Sequence, residues 1–170
     1  LLHTAKLPGM TEKDSVCCPP FSPENWDDKI FEWKNKKFIR DRVQTFMFMP
    51  VNFGRVMRRL DRKVREAGAE IQDHLCLSNH TSRWSMEVYL AVDRNIPGVE
   101  NTGISGKFLS KVYEGPFSDT GKWSEDFRSH TRKREMEIRK WYMWYTTCPK
   151  CAGKYGKNYV AIIAEVEDRA

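Results

Sequence analysis

The chain has 170 residues and a net charge of +6, from 29 Lys and Arg against 23 Asp and Glu. With 40% hydrophobic residues and a mean hydropathy of −0.66, no apolar run approaches the ~20 residues of a membrane-spanning helix. Aromatics at 12% argue against disorder, and the small positive surplus permits an anionic partner without requiring one.

The length fits one domain, large enough to fold without a disulfide or metal staple. Residues 1–37 read as an N-terminal extension. Pro19, Pro20 and Pro23 interrupt regular structure there. Trp26, Ile30, Phe31 and Trp33 follow at near-helical spacing and predict a short segment packed on the main body. The opening residues lack the apolar core of a signal peptide, and Met10 reads as a start. Five cysteines, an odd number, fit a reducing cytoplasm. In that setting the sequon Asn79-His80-Thr81 is read as chance.

The remaining residues, 38–170, predict two similar halves, 38–94 and 105–168. A shift of 67 places Gly54 on Gly121, Arg65 on Arg132, Glu70 on Glu137 and Ile71 on Ile138. Phe38 to Val51 predicts a strand ended by Pro50. Phe53, Val56, Met57, Leu60, Val64 and Ala67 form one apolar helical stripe, with Asn52 as N-cap and Gly68 as the stop. Strands follow at 74–78 and 87–92. In the second half, 107–113 reads as a strand, 121–136 as a helix, and 140–147 and 159–166 as two strands. The last pair is joined by a long hairpin loop carrying Cys148-Pro149-Lys150-Cys151. The order strand–helix–strand–strand, twice, predicts an α+β fold. Its antiparallel sheet carries both helices on one face, with a ligand groove between them.

This order resembles the gyrase-inhibitor-like (GyrI-like) small-molecule-binding domains. The supporting stretches are Val112-Tyr113-Glu114-Gly115-Pro116-Phe117, Trp141-Tyr142-Met143-Trp144-Tyr145 and Ile162-Ile163-Ala164-Glu165-Val166. The resemblance implies a stand-alone module that takes a planar hydrophobic or cationic compound. It also admits a hydrolase of such compounds, for example strained-ring DNA-alkylating natural products. The chain departs from the family pattern at Met143, where many members carry a buried Glu that attracts cations.

The ligand-binding candidates are Phe46, Met47, Phe48, Tyr113, Trp123, Trp141, Met143 and Tyr145. Large rings offer stacking surfaces, and Met adapts to varied ligands. Glu114, at a strand end, and Glu165, within an apolar strand, are the candidates to activate water if burial raises their pKa. No metal is assigned. Cys148 and Cys151 are candidates for a structural zinc that Cys17 and Cys18 would have to complete. Their placement in a β-hairpin argues against a thioredoxin-type redox pair. His74 and His80 read as structural or surface residues. Arg55, Arg58, Arg59, Arg62, Lys63 and Arg65 follow the polar side of the first helix and read as a solvated face, so a nucleic-acid partner is not expected.

Overall fold

The computed structural model describes residues 17–169; Met10 lies outside them. The elements in chain order are β1 (Lys29–Phe46), β2 (Met49–Pro50), α1 (Phe53–Glu66), β3 (Ile71–Ser82), β4 (Ser85–Val92), β5 (Glu100–Glu114), α2 (Thr120–Lys133), β6 (Met136–Tyr145), α3 (Pro149–Tyr155) and β7 (Tyr159–Asp168). The fold is α+β, with every strand pairing antiparallel. No helix among the described residues is long and apolar enough to cross a membrane.

The strands run β2-β1-β4-β3-β6-β7-β5, and β1 also pairs with β5. Phe38, Ile39 and Arg40 of β1 have partners on both sides, in β4 and in β5. The sheet therefore curls until β1 meets β5.

Register fixes which residues share a face, because directly opposed residues in an antiparallel pair point the same way. Across the sheet, Val88 opposes Ser78, Ser78 opposes Met143, Met143 opposes Ile162, and Ile162 opposes Lys111. Val88 packs in the cluster with Val56, Leu60 and Val64 of α1. Met143 and Ile162 pack in the cluster with Trp123 and Phe127 of α2. Both helices thus lie on one face, as the sequence pattern predicts. The alternate residues, including Phe38, Leu75, Leu77, Tyr89, Phe108, Tyr142, Trp144 and Ile163, fill the inside of the curled sheet. Burial of each such side chain is worth roughly 1.5–3 kcal/mol.

Two expectations need correction. The segment from Ile30 to Trp33 is the start of β1, a strand continuous across the boundary drawn at residue 37. A bulge between Trp33 and Lys36 accommodates the extra residues. Just before it, Trp33 opposes Gly106 and stacks on Phe108, with ring centroids 4.3 Å apart. The loop between β6 and β7 is no simple hairpin: it holds α3, which Cys148 caps at its N-terminus.

Candidate functional site

α1 covers β1 and β4, α2 covers β5, β6 and β7, and the seam between β3 and β6 runs between them. That seam has a single register pair, Ser78 with Met143. Alternation along β3 puts Cys76, Ser78 and His80 on the helix-bearing face. Along β6 it puts Trp141, Met143 and Tyr145 there. Met143 is 8% exposed and Ser78 is 3% exposed, while Trp141, Tyr145, Cys76 and His80 are partly open.

The walls come from both helices and one hairpin. Met57 of α1 approaches Cys76, Sδ to Sγ 3.9 Å. Burial pushes the Cys76 thiol up to about 12, so it lines the site as an apolar group. From α2, the Arg128 guanidinium lies over the Trp141 ring at 4.9 Å. Phe117, just before α2, meets Tyr145 edge-on at 5.3 Å. A cavity of about 390 Å³ opens beside Trp141, lined by Asn79, Arg128, Ile138, Arg139, Lys140 and Trp141; three of these six are cations, and Trp141 is the one groove-floor ring among them.

The third wall is strained. Phe46 opposes Met49, so Met47 and Phe48 form a two-residue hairpin turn. Both have positive φ, 48° and 70°, the geometry that Asn-Gly normally serves. Backbone bonds from Thr45 and Phe48 to Trp84 and Arg83 dock this hairpin on the β3–β4 turn. Phe46, Met47, Phe48, Met49, Val51 and Trp84 are all more than half exposed. Phe48 meets the His80 ring at 5.6 Å.

His80, which the sequence reads as a structural or surface residue, stands at this end of the seam, half-buried. Burial lowers its pKa, which keeps the imidazole neutral near pH 7. Its Nδ1 is buried with no hydrogen-bond partner among the described residues. Ser78 and His80 share the helix-bearing face with Trp141 and Met143. That alternation was the available signal.

The eight ligand-binding candidates divide. Trp141, Met143 and Tyr145 lie on the groove floor, and Phe48 stands at its end beside Phe46 and Met47. Trp123 and Tyr113 stack on each other at 5.7 Å beneath α2. Tyr113 Oη donates to Asp126 Oδ2 at 2.8 Å, and burial with that carboxylate raises its pKa. Those two rings serve chiefly to seat the helix.

Glu114 and Glu165 lie elsewhere. Glu114 is exposed at the end of β5. Glu165 opposes Phe108, on the face away from the helices. Glu114 and Phe108, the β5 residue opposite Glu165, are about 20 Å apart along the strand.

A second cavity of about 490 Å³ is lined by Arg40, Asp41, Arg42, Arg59, Lys63, Glu87 and Glu100, among others. Its charges are largely paired with each other, as in Arg59 with Asp41 and Arg40 with Glu87 and Glu100. Leu60 and Val99 supply its apolar side chains. The basic side of α1 is likewise partly neutralised within the helix, where Arg65 pairs with Asp61 and Arg62 with Glu66.

The family model described as "Bacterial hydrolase" matches residues 9–166. This chain belongs to that family. Two solved structures share the fold of this bacterial-hydrolase family member. The EcmrR C-terminal domain has a TM-score of 0.63 at 12% identity, covering 84% of this chain and 98% of its own. An uncharacterized conserved protein from Listeria innocua has a TM-score of 0.59 at 9% identity, covering 83% and 92%. The architecture is consistent with the GyrI-like fold. No curated protein matches the sequence.

Proposed function

We propose that this chain takes a planar, hydrophobic small molecule into the groove between α1 and α2 and hydrolyses it. The observation that carries the reading is the neutral His80 with an unpartnered buried Nδ1, set at the end of an aromatic and Met-lined floor. Trp141, Tyr145 and Phe48 stack the ligand. His80 accepts a proton from water as the water oxygen bonds to an electrophilic carbon. The carbon's bond to its leaving atom breaks, and that atom takes the proton back from His80. For a strained ring the net change is the addition of one water.

The cationic half of the expectation finds less support. Met143 contributes no carboxylate, and the residues lining the groove floor include none. Arg128 over Trp141 favours neutral or electron-rich ligands.

The test is incubation with planar aromatic compounds bearing strained rings or activated esters, followed by tryptophan quenching and mass spectrometry of the recovered compound. The expected result is saturable quenching and a hydrolysed product. His80→Gln should abolish conversion and leave quenching intact, while Glu114→Gln and Glu165→Gln leave both unchanged. Quenching with the compound returned intact by the unaltered protein would reduce the function to binding. Loss of conversion in Glu114→Gln or Glu165→Gln would move the base out of the groove.

A further inference from the structure

The four cysteines Cys17, Cys18, Cys148 and Cys151 converge, although 131 residues separate the first from the third. Their Sγ atoms all lie within 4.8 Å of one another. Cys17 Sγ is 3.9 Å from Cys18, 3.5 Å from Cys148 and 3.6 Å from Cys151. Thiolates at about 2.3 Å from a tetrahedral zinc are separated by about 3.8 Å along each edge. The sulfurs therefore already stand near the corners of such a tetrahedron.

We propose that these four cysteines bind one zinc ion as a structural tetrathiolate centre. Local structure supplies the setting. Cys148 caps α3 and Cys151 sits in its first turn, completely buried. The Cys148 N–H donates to Cys18 Sγ at 3.4 Å, the kind of bond that orients a metal thiolate. Tyr155 Oη donates to the Cys18 carbonyl at 2.6 Å and ties the chain there to α3. Lys150 within the motif helps offset the negative charge of four thiolates around a divalent ion.

The arrangement also explains the insert that carries it. The β3–β4 connection is the two-residue turn Arg83-Trp84, whereas 146–158 join β6 to β7. The extra length builds α3 and its cysteines. With zinc bound, the segment before β1 is clamped to this insert. That clamp holds Phe21 against Trp144 and Tyr159, at 5.3 and 5.7 Å, and Trp26 against Trp144 at 4.8 Å.

A redox pair would also begin a helix after a strand, as Cys148-x-x-Cys151 does here. It would need two sulfurs. Cys17 is as close to each of them as tetrahedral ligands are to one another, which favours the metal.

The test uses the full chain, expressed with zinc in the medium and purified anaerobically without chelator. Elemental analysis and native mass spectrometry should give one zinc per chain, with Cys148→Ser/Cys151→Ser reduced to none and Cys76→Ser unchanged. Should the double variant not fold, cobalt exchanged into the unaltered protein should show tetrahedral d–d bands and thiolate-to-cobalt charge transfer. Fully reduced protein without zinc, iron in its place, or a Cys148–Cys151 disulfide in the anaerobic product would overturn the proposal.

Discussion

Trp144→Ala probes the inside of the curled sheet. Trp144 is 3% exposed and touches Phe21 and Trp26 edge-on. A ring of this kind covers about 200 Å². At ~25 cal/mol/Å² that is worth about 5 kcal/mol as an upper bound. Truncation of buried rings to Ala costs roughly 3–5 kcal/mol, including the cavity left behind. The expected loss is about 4 kcal/mol, a large fraction of a domain's usual stability of 5–15 kcal/mol. At about 2–4 °C per kcal/mol for this chain length, Tm should drop by about 8–16 °C. The internal comparison is Trp84, 52% exposed at the β3–β4 turn, where truncation should cost under about 1 kcal/mol. Urea unfolding followed by circular dichroism and fluorescence, with coincident transitions, measures both. If Trp144→Ala costs less than about 1.5 kcal/mol, or no more than Trp84→Ala, then β6 does not bury its Tyr142/Trp144 face as described.

Stability should fall as pH drops from about 7 through the ordinary histidine range. The unfolded chain protonates His80 before the folded one, whose pKa is lowered by burial; thermal melts of His80→Gln should show a shallower slope there. Replacing Met47-Phe48 by Asn-Gly should raise stability by about 1–2 kcal/mol in urea melts, because both residues occupy positive φ, while weakening ligand quenching. Gly106→Ala should cost more than about 1 kcal/mol in the same assay. Gly106 has φ 140°, and an added Cβ would lie 3.2 Å from Glu165 Oε1.

Much of this architecture was legible in the sequence. The stripe from Phe53 to Val64 marked α1, and α2 begins 67 residues later than α1, the spacing at which Gly54 meets Gly121. The start of β1 was missed for a physical reason. Phe31 and Trp33 alternate toward the inner cluster as strand residues do, but Ile30, 41% exposed on the other face, follows Trp26 by four and so imitates helical spacing. The groove floor was half legible: Trp141, Met143 and Tyr145 share one face through simple alternation. His80 reads as structural or surface in the sequence because its lost solvation and its contact with Phe48, 32 positions earlier, are not local features. Glu165 looked costly inside an apolar strand. The curl of the sheet places it opposite Phe108, near the close approach of Gly106. Cys148 and Cys151 form one local motif, and Cys17 and Cys18, the pair that would have to complete it, are brought beside it by the path of the chain before β1.

The closed ring of strands is unevenly sewn. β1 and β5 pair along Lys29–Arg40 and β6 and β7 along Met136–Tyr145, but β3 and β6 meet at one pair beneath the groove. The molecule thus has a fault line where its ligand would rest. Opening it breaks few backbone bonds, and the side chains of Leu75 and Leu77, buried in one cluster with Tyr142 and Trp144, are what hold it shut. Amide protons along Ser78–Thr81 and Lys140–Met143 will exchange ahead of those in β1 and β5, and a wedge-shaped occupant will slow them by closing the fault around itself.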